Sequence, residues 1–170
     1  MKVTTFGVKV WRWFSVLFLI GSLVWTYSVF PEMVAVDFSD TGLAELYVSK
    51  EQIFYVIMAI FLLNNIVIAR LSKQIPKIDA SHLPVPNRAI WAKHREELDE
   101  HISNWLFCLI AAINTITGFS LLALATVNSN QFKMDVFDFS WIFYVGLGLM
   151  VIIFLLPLLL FRTPLPKDKL

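Results

Sequence analysis

Apolar and polar positions fall along this chain in long blocks rather than in short alternations. Four uninterrupted apolar stretches, roughly Val10–Phe30, Gln52–Leu71, Trp105–Val127 and Phe139–Phe161, are separated by polar connections. Each is long enough to cross a hydrocarbon core, for which a helix needs ~20 residues. Inside lipid only helices and closed barrels satisfy their own backbone, and runs without a two-residue alternation are helical. The pattern predicts an all-α membrane protein with four transmembrane helices in one integral domain, residues 1–170. A small outer hairpin-like loop and an inner interfacial amphipathic helix complete the expected fold.

The connections carry their own patterns. After the first stretch, Val34, Val36 and Phe38 alternate with Ala35 and Asp37, which predicts a short strand. Ser39-Asp40-Thr41-Gly42 supplies turn chemistry, and Leu43 to Val48 returns as a second strand. An isolated hairpin is marginal in water, so this one is expected to lie against the membrane surface or another protein. Docking onto the second outer connection through Phe132 and Phe137 is the simplest arrangement. Ser49 stands where an N-cap for the second helix belongs. The middle connection begins with a proline-punctuated run, Ile75 to Pro86, expected to be extended. Asn87 is then a candidate N-cap, and Trp91, His94, Leu98, Ile102 and Trp105 recur at helical spacing on one face. Lys93, Arg95, Glu96, Asp99 and Glu100 occupy the other. The period predicts an amphipathic helix lying along the inner surface and turning into the third span.

Charge orients the picture. Twelve of the fourteen basic residues lie before or at the start of the first stretch, from the end of the second to the start of the third, or after the fourth; only Lys50 and Lys133 fall in the other two connections. The positive-inside rule then places both termini and the middle connection in the cytoplasm. A hydrophobic content of 58% excludes an ordinary soluble domain, and a net charge of +1 offers no global field for nucleic acid. The first stretch starts with basic residues but is too long for a signal-peptide core and lacks a small-x-small cleavage site, so it is expected to be retained. The single cysteine, Cys108, cannot form an internal disulfide and reads as a buried inert thiol.

Candidate chemistry is sparse. His94, Glu97 and His101 could share a helical face, but two histidines two turns apart lie about 10 Å from one another by helix rise, which is poor metal geometry. No metal and no cofactor is expected. Asn64 and Asn65 fall inside the second stretch and Asn114, Thr115 and Thr117 inside the third. Polar groups there usually hydrogen-bond across helices. No ionisable residue lies near the centre of a stretch, which argues against a proton relay. No nucleophile motif, metalloprotease motif or phosphate-cradling glycine loop is present.

Two segments resemble a bacterial polytopic membrane-protein family. Its members carry a first outer loop of the form Leu-Pro-x-x-(Ile/Val)-x-x-His-Phe-x-x-x-Gly-x-x-x-x-Tyr-x-Ser-Lys, and the segment Phe30 to Lys50 resembles that pattern closely. Some members also carry Ile-Pro-Asn-(Lys/Arg)-x-x-Trp, to which Val85-Pro86-Asn87-Arg88-Ala89-Ile90-Trp91 is similar. The family's domain is also found in immunity proteins against a sporulation-delaying toxin. Asp37 stands where the family has its loop histidine. The resemblance implies a multi-pass protein of the bacterial cytoplasmic (inner) membrane with an ordered first outer loop, and it brings no settled reaction.

The expected function is a non-catalytic accessory, sensory or immunity-like component. Beyond the lipid bilayer, its expected partner is another membrane or extracytoplasmic protein, not nucleic acid. Partner binding is expected at the hairpin, with Asp37 and Asp40 giving polar orientation and Phe38 and Tyr47 acting as aromatic anchors. The alternative is a small transporter or channel component in which Asn64, Asn65 and Asn114 line a polar path.

Overall fold

The computed structural model of the protein describes residues 3–79, 82–129 and 135–161. Four of its helices are long and apolar enough to cross a membrane: Val3–Val29, Lys50–Lys77, Arg95–Val127 and Val136–Leu158. The shortest has 23 residues, which corresponds to about 35 Å of helix. Polar turns extend the second and third beyond the apolar stretches that predicted them, and at the start of the second a side-chain cap accounts for the extension. Lys50 begins the second helix directly after Ser49. The Ser49 hydroxyl accepts from the Gln52 N–H at 3.3 Å, and the Gln52 side-chain oxygen accepts from the Ser49 N–H at 3.2 Å. This reciprocal pair is the capping box.

Helices α1 (Val3–Val29) and α5 (Arg95–Val127) run side by side in the same direction and form the main packing seam. Gly118 permits their approach: a Cβ there would lie 2.5 Å from the Phe18 ring. The second long helix is composite. It runs as α2 (Lys50–Leu62), a π-helical turn at Leu63–Ile68, and α3 (Ala69–Gln74), and closes with a 3-10 turn at Ile75–Lys77. Helix α6 (Trp141–Leu155) packs on α5 and buries none of its residues, so it is the peripheral member of the bundle. Two apolar clusters hold the ends. Leu19, Leu23, Phe30, Val34, Ile53, Leu121 and Ala125 close the hairpin end, and Leu83, Val85, Trp91, Leu98, Ile102 and Leu106 close the other.

The helix expected from Asn87 onward is broken in two. Helix α4 (Arg88–Lys93) ends at His94, whose backbone leaves the helical region at φ −120° and ψ 43°, and α5 starts at Arg95. Asn87 does precede the first turn, but it is left-handed at φ 55° and its side chain makes no cap bond. The expected apolar face does not run along a surface. Trp91 is 2% exposed and Leu98 fully buried, and the Trp91 indole N–H donates to the Leu160 carbonyl at 2.9 Å. An indole buries well once its N–H has a partner, and the break at His94 is what lets α4 fold back to reach Leu160. Arg95 secures the same corner by donating to the Ile75 carbonyl at 3.0 Å.

Candidate functional site

The hairpin between the first two long helices is real and locally determined. Strands β1 (Met33–Phe38) and β2 (Ala44–Ser49) pair antiparallel, with Val34 opposite Val48 and Ala35 opposite Tyr47. The register shifts around Val36 and again before Phe38, and such bulges twist an edge away from further pairing. At the turn, Gly42 adopts φ 80°, a conformation that disfavours a side chain. The Ser39 hydroxyl accepts from the Leu43 N–H at 3.1 Å and lies 2.9 Å from the Thr41 hydroxyl.

Docking of this hairpin runs through a residue that the hydrophobic pattern does not single out. The Asn128 side chain accepts from the Ala35 N–H at 2.7 Å and donates to the Ala35 carbonyl at 3.0 Å. It also donates to Leu124 one turn back, at 2.9 Å, so the amide is fixed to α5 before it reaches the strand. On the turn, a Cβ at Gly42 would lie 3.2 Å from the Asp135 carboxylate. Phe137, expected to carry the docking, stays half exposed, and Phe132 lies outside the described residues.

Of the four residues expected to bind a partner, two meet at one feature. Phe38 and Tyr47 border a cleft of about 590 Å³ that also touches Met33, Ala35, Asn128 and Asp135. Asp37 and Asp40 are exposed and do not border it; the Asp37 carboxylate instead accepts from the N–H of Phe38 at 3.0 Å. Much of the hairpin's apolar surface stays open: Leu43 is 70% exposed, and Met33, Leu46 and Tyr47 are all about half exposed. An ion pair between Lys50 and Glu32, at 2.6 Å, ties the base of the hairpin. At this exposure it contributes little.

The asparagines of the helices form a second polar feature. The Asn64 amide donates to the Ile110 carbonyl at 3.0 Å and to the Asn114 oxygen at 2.9 Å. Asn65 donates to Phe61 and Asn114, each at 3.0 Å. Asn114 returns a bond to Asn65 at 3.0 Å and reaches the Ser15 hydroxyl on α1 at 3.3 Å. Three helices are thus tied by side-chain amides that bond one another. The π turn makes this possible: neighbouring residues of an α-helix point about 100° apart, and the wider turn brings Asn64 and Asn65 to the same acceptor. His94, Glu97 and His101 do not share one unbroken helix, because His94 sits in the break that precedes α5. Among the described residues no three His, Cys, Asp or Glu side chains converge. No protein-family model, no curated protein and no solved structure matches this chain, so its chemistry is read from its own residues.

Proposed function

We propose that the chain is a four-span protein of the bacterial inner membrane, with both termini cytoplasmic and the hairpin outside. It acts without catalysis, as an accessory or immunity-like component, by holding a protein partner on the hairpin. One observation carries the reading. The hairpin is anchored by Asn128 and by its own buried Val34, yet it leaves Met33, Leu43, Leu46 and Tyr47 open to solvent. A fixed scaffold presenting exposed apolar and aromatic groups is how recognition surfaces are built. The resemblance of the Phe30 to Lys50 segment to the outer loop of a bacterial membrane family agrees with this reading.

Replacing Phe38 and Tyr47 together by Ser tests it. The double variant should insert at normal levels and lose any partner that co-purifies stoichiometrically with the unaltered protein from native membranes. Retention of that partner would move the binding surface to the helices.

A further inference from the structure

The last turns of the second long helix carry a cationic side that the bundle leaves unpaired. Ile68 and Ile75 pack against the apolar cluster at the end away from the hairpin, and Ser72 between them is buried. Spaced by four and three, these positions form the side that packs on α5. Arg70, Lys73 and Lys77, spaced by three and four, fall on the opposite side. All three are exposed, and among the described residues none makes an ion pair or a hydrogen bond through its side chain. Leu71 and Ile78 beside them are 49% and 43% exposed. No acidic residue occurs between Glu51 and Asp79, and Asp79 is engaged elsewhere. The other carboxylates near this corner are on α5. Asp99 is held by Arg95 at 2.9 Å, and Glu96 and Glu97 stand in the first turn, where a helix start favours negative charge.

These cations and exposed aliphatic groups end a helix long and apolar enough to cross a membrane. A partner that complements them carries negative charge beside a hydrocarbon body. We propose that Arg70, Lys73 and Lys77 bind the headgroup of an anionic phospholipid, with Leu71 and Ile78 against the first carbons of its acyl chains. The Arg70 guanidinium offers two parallel N–H groups to two phosphate oxygens. Lys73 and Lys77 add charge that would repel the ammonium of a zwitterionic headgroup. The three cations spread over about 11 Å of helix axis. Their long side chains can gather into a headgroup layer about 5–8 Å thick. The inference rests on the membrane reading above, and not on the hairpin or its partner.

The full chain is reconstituted into bilayers of equal phosphatidylglycerol and phosphatidylcholine and extracted in mild detergent, and the phospholipid it retains is measured by mass spectrometry. Each cation near an anionic surface favours binding by about fivefold, so three together should enrich phosphatidylglycerol by about tenfold or more. Sodium chloride at about 1 M should bring the ratio toward unity, because exposed charges are then screened within about 3 Å. Sodium phosphate at equal ionic strength should act no more strongly than chloride. Arg70→Gln, Lys73→Gln and Lys77→Gln together should leave the ratio within about twofold of unity. The same change at Arg162, Lys167 and Lys169 should preserve the preference. Equal retention of the two lipids by an inserted chain would overturn the proposal. So would a preference that survives high salt or the first triple change, that is lost with the second, or that inorganic phosphate specifically abolishes. A chain that enters no bilayer would overturn the membrane reading and this proposal together. The salt measurement needs no variant and decides the matter even where the triple changes fail to fold.

Discussion

Asn128 holds Ala35 by both of its backbone polar groups, at 2.7 Å and 3.0 Å. A side-chain amide here stands in for a neighbouring strand, satisfying β1 along the edge that β2 does not cover. It also couples the end of α5 to the hairpin that follows α1, across 93 positions of chain. Replacing Asn128 by Leu should cost about 2–3 kcal/mol locally, from two lost bonds and an unmet backbone pair. Hydrogen exchange at the Ala35 amide should quicken by one to two orders of magnitude, roughly the rate equivalent of that loss, while amides of α5 below Leu121 keep their protection. Unchanged exchange at Ala35 would show that the hairpin is held by other contacts.

Asn114 is fully buried, accepts from both Asn64 and Asn65, and donates to Asn65 and Ser15. Changing it to Leu removes the shared acceptor and leaves buried N–H groups unmet, at a cost of about 2–4 kcal/mol. Thermal unfolding in mild detergent should show the loss. Asn65→Leu should cost less, because Asn64 and Asn114 still bond each other. Equal costs for the two variants would contradict the shared-acceptor arrangement.

Gly118 and Phe18 form a steric pair. Adding a methyl group by Gly118→Ala puts a carbon 2.5 Å from the Phe18 ring, and that ring is itself packed at a tilt against Phe119, centroids 4.9 Å apart. Overpacking of this kind costs about 1–3 kcal/mol. Phe18→Leu in the same chain should recover part of it. A double-mutant cycle reads the coupling, and strictly additive effects would mean that α1 does not approach α5 at this point.

Trp91 is buried and bonded through its N–H to Leu160. Trp91→Phe removes the bond and part of the ring volume and should cost about 2 kcal/mol, whereas Trp91→Ala should cost about 3–5 kcal/mol by leaving a large void. Spin labels at Arg88 should report water, and a label in place of Trp91 should loosen the α3–α5 corner. Full tolerance of Trp91→Ala would place this residue on a surface, as its amphipathic period alone suggests.

Much of this architecture is legible in the chain because it rests on local chemistry. The long apolar runs give the four helices, Gly42 and its polar neighbours give the turn, and Ser49 with Gln52 gives the cap. The break at His94 is not legible: Trp91, Leu98, Ile102 and Trp105 keep a helical period straight through it. Beyond the break, the Trp91 N–H meets a distant acceptor, Leu160, which no local pattern can announce. The π turn is equally hidden, since two adjacent asparagines in an apolar run look the same in either helix type. Asn128 escapes notice because one polar residue after an apolar stretch reads as ordinary loop, and its two bonds reach back 93 positions. At the candidate site, Phe38 and Tyr47 are recognisable from their aromatic character, while Asp37 and Asp40 prove to serve the hairpin's outside rather than its cleft.

The proposed function requires the hairpin and the turn at the far end of the second helix to lie on opposite sides of a membrane. Paired reporter fusions after Thr41 and after Ile78, one active only outside the cytoplasm and one only within it, measure this. The account predicts an extracytoplasmic signal at Thr41 and a cytoplasmic signal at Ile78. A cytoplasmic signal at Thr41, or the same side at both positions, would contradict it.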